Sequence, residues 1–287
     1  MASTKSLGTL INDTIKFTQT HLVVLVVGAV VFGFLTQGVT WWFIGSSGFM
    51  GGQTAVMWQQ QMNDATEKMK ALQDKAMQGG GMDAESQKQM EDLAKQITEQ
   101  SMQGAGMMGS MLKSILPALG ISLLLGLLVM AVAKSYFLIV AVKGMNDPAT
   151  ALQATLTSLL PLIGLWIWLA IRTFIWIPFV GIIVAIILGP RFLLAPLYLL
   201  EQHKGSMESA RMSYAKTRGW WGKIFGNAFV FGLVVMICAA VVSKIVGSIL
   251  GFMIGGFVAA MLTQFAGALL VVFSMQLART VMDNSRA

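Results

Sequence analysis

Charge is scarce in this sequence. Asp, Glu, Lys and Arg make up 11% of its 287 residues, against roughly a quarter in a soluble domain. That scarcity excludes an ordinary soluble globule. Cysteine is almost missing: Cys238 stands alone inside an apolar run, so no intrachain disulfide can form and the residue reads as a small packing side chain. Histidine occurs twice, at His21 and His203, too far apart to suggest a metal site. No Asp or Glu falls in the middle of an apolar run, which argues against a proton or cation relay. Nucleophile–base pairs and ligand clusters are lacking, so neither an enzyme nor a cofactor is expected. The alternation over ~9–11 residues that marks barrel strands is missing too, which excludes an outer-membrane barrel.

Apolar residues are what the chain has in excess, at 55% with a mean hydropathy of +0.70. About 20 of them in a row suffice to cross a bilayer as a helix. Lipid cannot pair backbone polar groups, so each long run must be helical. The expected fold class is all-α: a polytopic integral membrane protein with about six transmembrane helices. The first run, His21–Ile44, is too long for a cleaved signal and lacks a small-x-small site; Lys5 and Lys16 precede it, as in a signal anchor. Trp41, Trp42 and Phe43 form an aromatic belt at its far end. A second span starts near Leu112. The stretch Leu159–Leu200, broken by Pro161, Pro178, Pro190 and Pro196, is too long for one span and divides near Arg172–Ile177 into two, kinked or partly re-entrant. Ile224–Val242 and Ile249–Leu277 complete the set, with Lys244 in a tight turn between them.

A water-loving block separates the first two spans. Gly51–Ser110 holds nine of the 21 Met, eleven Gln, eight acids and five Lys, with no Pro. Trp58, Met62, Ala65, Met69, Leu72 and Ala76 recur at alternating spacings of 4 and 3, a coiled-coil seam. Gly79–Gly81 breaks the pattern, Asp83 offers a cap, and Met90, Leu93 and Ile97 resume it. The expectation is an extramembrane helical hairpin, with Gly104, Gly106 and Gly109 loosening the chain before the second span. Copper(I) could be held by thioethers. Methionines mostly five to twelve apart, with no His or Cys beside them, make a poor ligand set. The expected domains are residues 1–49 (tail and first span), 50–111 (hairpin) and 112–287 (five-helix membrane body).

Net charge is +7. The polar block, extended to Lys113, holds six Lys against eight acids, which leaves fourteen bases and five acids for the rest. This excess in short tails and loops suits anionic lipid heads better than nucleic acid. The short basic segment Glu201–Lys223, the N-terminal lysines and Arg279 with Arg286 place both termini in the cytoplasm, and so the hairpin outside it. The expected location is the bacterial inner membrane.

Within Gly189–Gly226, Pro190–Arg191 ends a span and Ala195–Pro196 follows. Ser206 is placed to cap a helix over residues 206–218 that ends at Thr217–Arg218–Gly219. Arg211, Lys216, Arg218, Trp220, Trp221 and Lys223 are candidate lipid-interface residues. The Arg–Phe, Ala–Pro, Ser–Ala…Ser and Thr-Arg-Gly-Trp-Trp…Phe-Gly order resembles the bacterial membrane-domain family fused to some glycerophosphodiester phosphodiesterases, with its stand-alone YciC-like relatives. The resemblance covers about forty residues and implies a six-helix membrane fold. The phosphodiesterase barrel and its metal ligands have no counterpart here, so that activity is not implied.

Lys134, Arg172 and Lys244 lie near expected span ends and should snorkel. Arg191, between Pro190 and Pro196, is the candidate intramembrane polar residue. Gly247, Gly251 and Gly255 form a small-xxx-small ridge suited to close helix packing within the chain. The leading functional expectation is a non-enzymatic scaffold or accessory subunit whose hairpin docks another membrane protein or a second copy. The alternative is a transporter-like or lipid-handling protein with a site near Arg191.

Overall fold

The computed structural model describes residues 5–46, 84–174, 184 and 186–284, with seven isolated positions between 60 and 74. Among the described residues the regular structure is all helical. Helices α1 (Leu7–Thr20), α2 (Leu22–Ser46), α3 (Ala84–Lys143) and α4 (Pro148–Phe174) are followed by a 3-10 turn, Gly189–Phe192. Then come α5 (Ala195–Glu201), α6 (Ser206–Lys216) and two long helices that meet at Gly251: α7 (Trp221–Gly251) and α8 (Ile254–Asp283). Five helices are long and apolar enough to cross a membrane: α2, Ile115–Lys143 of α3, Pro148–Arg172 of α4, α7 and α8. That composition is compatible with a multi-pass membrane protein.

The chain forms two compact units, residues 1–38 with 126–287, and residues 39–125. Within the second unit α3 stays helical through Gly104, Gly106 and Gly109, where the sequence suggested a loosened chain. Glycine costs only about 1 kcal/mol in a helix, and the Met, Gln and Ala around these three are better helix formers. Glu91 and Lys95 pair at 3.2 Å on its surface.

The larger unit is held by close backbone approaches and by side chains that donate to carbonyls. A Cβ built on Gly28 of α2 would lie 2.5 Å from the Tyr136 ring of α3. The Tyr136 hydroxyl donates to the Val24 carbonyl at 3.0 Å, so the ring cannot retreat. Phe32 packs edge-on against Tyr136 and Phe137. Further along α2, Gln264 of α8 donates to the Thr36 hydroxyl at 3.1 Å. Phe231 and Phe273 stack at 4.1 Å between α7 and α8.

The turn between the last two long helices is at Gly251, not at Lys244. Gly251 has φ 74°, which glycine adopts without a Cβ penalty, whereas Lys244 is an ordinary residue inside α7. The Gly247–Gly251–Gly255 set is therefore not a ridge along one helix. Gly247 and Gly255 face each other across the turn, where a Cβ on Gly255 would meet the Gly247 Cα at 2.8 Å. The close packing they permit is between two helices of the same chain. Ser206 is likewise the first residue of α6 rather than its cap; Gly205 occupies the cap position.

One end of the larger unit gathers several helix termini. Gly144 faces His21, with a built Cβ 3.6 Å from Nε2. Arg279 of α8 donates to the Val142 carbonyl at 2.6 Å and pairs with Glu201 at 3.4 Å. Asp147 then starts α4. Its Oδ2 accepts the Thr150 amide at 2.8 Å and the Thr150 hydroxyl, with Pro148 at the first helical position. The hydroxyl, then the amide, hold the Asp147 carboxyl below its ordinary value of 3.8.

Two outcomes follow from this packing. Gly28→Leu should lower the thermal midpoint in detergent by an amount equivalent to about 1–3 kcal/mol of overpacking, whereas Gly226→Leu, whose site is open, should not. For Asp147, a depressed folded value means the capping contribution is complete above the unfolded value, about 3.9, and is lost as pH falls through the lower folded value. The midpoint difference between the parent protein and Asp147→Ala should hold constant from about pH 5 to 8 and shrink below about pH 4.

Candidate functional site

The 3-10 turn Gly189–Phe192 and the residues after it lack a complete helical ladder. Proline at 190 contributes no amide donor. The missing partners come from α6. The Ser213 hydroxyl donates to the Arg191 carbonyl at 2.7 Å and accepts the Leu194 amide at 3.1 Å. Thr217 Oγ1 lies 3.0 Å from the same carbonyl. Ser209, Ala210 and Ser213 are fully buried and share one face of α6. Small side chains there let α6 sit close to the turn. The helix ends at Lys216 with Thr217 as its cap, two residues before the expected stop, and Gly219, φ 86°, turns the chain toward α7. The Trp221 indole then donates to the Ile187 carbonyl at 2.8 Å, and the Ser206 hydroxyl to Pro161 at 3.1 Å.

These bonds hold basic side chains against aromatic ones. The Arg191 guanidinium lies 4.7 Å from the Tyr214 ring centroid. Its Nε is buried with no hydrogen-bond partner among the described residues. Arg172 lies 5.2 Å from the Trp168 ring. Phe192 contacts Trp168 edge-on and Tyr214 at a tilt. Between α4 and α6, Trp168, Arg172, Phe192 and Tyr214 line a cavity of about 590 Å³, which Glu208 and Arg211 also face. Glu208 pairs with Lys204 at 2.9 Å. Among the described ion pairs none involves Arg172 or Arg211. A second cavity, of about 540 Å³, lies between α3, α4 and α8 and shares Phe192 as a wall. Its lining is apolar apart from Lys134 and Ser274, and Lys134 Nζ lies 5.2 Å from the Trp166 ring.

Comparison with family models, curated proteins and solved structures finds no match.

The structure brings together residues that the sequence kept apart. Arg211 lines the first cavity, Lys223 covers Trp220 at 5.3 Å, and Trp221 serves a carbonyl. Lys216 ends α6, and Arg218 follows in the turn before α7. Lys134 and Arg172 were expected only to snorkel; both instead lie over indoles and line cavities. The signal for Arg172 is its i,i+4 spacing from Trp168, which stacks the two on one helical face. Of the expected seam, Trp58, Met62, Met69 and Leu72 lie outside the described residues. Met90, Leu93 and Ile97 fall on α3, and their side chains lie outside them as well. Among the described residues no His, Cys, Asp or Glu cluster could hold a metal ion.

Ser213→Ala would leave the buried Leu194 amide unpaired and weaken the hold on the Arg191 carbonyl. The expected cost is about 1–3 kcal/mol, measured as a lower thermal midpoint with faster proteolysis within residues 189–220.

Proposed function

We propose that this chain is a non-enzymatic, multi-pass membrane protein that holds the phosphate of an anionic lipid headgroup between Arg172 and Arg211. The observation that carries this reading is the cavity between α4 and α6. Two guanidinium groups from different helices face it, neither in a described ion pair, and aromatic rings wall it. Guanidinium groups present planar donors suited to phosphate oxygens. The apolar walls suit the first methylenes of a lipid better than a free, fully hydrated anion. The basic segment through Lys223 sets this side toward the cytoplasm under the positive-inside rule, with both termini there and the bacterial inner membrane as the location. The approach of His21, Val142, Gly144 and Arg279 to one another supports a common side for the two termini.

A docking role for the Met/Gln block stands beside this reading, on the strength of the 4-and-3 seam spacing alone. Its partner would be another membrane protein or a second copy. The resemblance of residues 189–226 to the glycerophosphodiester phosphodiesterase membrane domains fits either role, since it concerns the body.

Each basic group near a lipid surface contributes about 1 kcal/mol, so Arg172→Ala with Arg211→Ala should weaken retention of phosphatidylglycerol by roughly tenfold or more. Native mass spectrometry of protein released from mixed phosphatidylglycerol–phosphatidylcholine nanodiscs measures this. Lys223→Ala, outside the cavity, should change retention less. Equal retention by the double variant and the parent protein would sink the proposal.

A further inference from the structure

Helix α4 has the length and composition of a span, but its neighbours put it at the wrong depth for one. Its first residue, Pro148, follows the end of the unit marked by Val142, Gly144, His21 and Arg279. Ala170 lies 22 residues further on, about 33 Å along a helix at 1.5 Å per residue. If α4 ran alongside α3, Ala170 would stand near the opposite end. Instead Trp166, Leu169 and Ala170 share a cavity with Lys134, Leu138, Ser274 and Met275. Those four lie only four to nine positions from Lys143 or Arg279, about 6–14 Å from the same end. The hydrocarbon core is ~30 Å thick, so α4 covers its full length while gaining less than half that depth.

The contacts on either side agree. Pro161, midway along α4, accepts from Ser206 at the start of α6. Arg172, near its end, faces the same cavity as Arg211. Ile187, the next anchor along the chain, accepts from Trp221 where α7 begins. Phe231 stacks on Phe273, which aligns α7 antiparallel to α8 and puts Trp221 back at the Arg279 end.

One face of α4 buries Ala151, Thr155, Leu162 and Leu165. The opposite face exposes Leu152, Leu156, Leu160, Ile167 and Ile171, between 44% and 81% accessible, spaced as one helical stripe. No described part of the chain covers that stripe.

We propose that α4 does not cross the membrane. It lies slanted within one leaflet, with the 3-10 turn, α5 and α6 stacked on its inner face, and its Leu/Ile stripe contacts the acyl chains of that leaflet alone. Four helices then cross: α2, the latter part of α3, α7 and α8. The occupant of the stripe is lipid because both ends of α4 lie toward one end of the unit, Pro148 just after Val142 and Gly144 and Arg172 on the cavity shared with Arg211, within half a bilayer.

Nitroxide labels at Leu152→Cys, Leu160→Cys and Ile171→Cys, each in a Cys238→Ser background in phospholipid vesicles, report depth through oxygen and nickel-chelate relaxation. All three should lie between one headgroup layer and the bilayer midplane. A crossing helix would put position 160 near the midplane and position 171 beyond it. Independently, the Gly164→Cys/Ser206→Cys pair should cross-link on mild oxidation, since a Cβ on Gly164 lies 3.6 Å from Ser206 Oγ. Either a label at position 171 beyond the midplane or a folded pair that stays reduced overturns the proposal. Neither readout depends on whether an anionic lipid occupies the Arg172–Arg211 cavity.

Discussion

A carbonyl group in apolar surroundings must find a donor inside the protein, because hydrocarbon has none to offer. The architecture of this chain follows from how it meets that demand. At five places among the described residues a side chain of one element donates to a backbone carbonyl of another: Tyr136 to Val24, Ser206 to Pro161, Ser213 to Arg191, Trp221 to Ile187 and Arg279 to Val142. Four of the five fall on or beside the connection between α3 and α7. That connection turns sharply and contains Pro190 and Pro196, so its own backbone cannot satisfy it.

The same bonds decide where charge is allowed to sit. Ser213 and Thr217 draw the Arg191 backbone onto α6, and the Arg191 side chain then lies over Tyr214. Ser206 draws α6 onto the middle of α4, and Arg172 comes to face Arg211. Cations in this region are held over aromatic faces, which offer partial compensation without a second buried charge. Phe192 stands between the two cavities, so the Lys134 side and the arginine side are separate chambers with one common wall.

The helical class and most of the long apolar helices were legible in composition and run length, because hydrophobic length is a direct requirement of the bilayer. Within segment 189–226 the Ala–Pro step and the small-residue helix face appear where expected, whereas the cap falls on Gly205 and the helix stops at Lys216, one residue short of the Thr-Arg-Gly turn. What Ser213 and Thr217 bind was not legible, since the carbonyl they serve is 22 and 26 residues away. The turn was misplaced at Lys244 because a charge within an apolar run looks like a break, whereas the backbone breaks where φ must be positive, at Gly251. The slant of α4 was hidden for a simpler reason. A helix lying along a leaflet and one crossing it can share the same composition, and only the neighbours reveal the difference.

Gly251 has a consequence for how the protein is handled by the cell. Two apolar helices of about 30 residues are joined by a turn so short that Gly247 and Gly255 touch across it. A turn that short gives α7 and α8 no slack to settle in a membrane independently of each other. With the termini on the cytoplasmic side, as proposed above, the pair would enter as one hairpin, tip first, and carry Lys244 across the hydrocarbon.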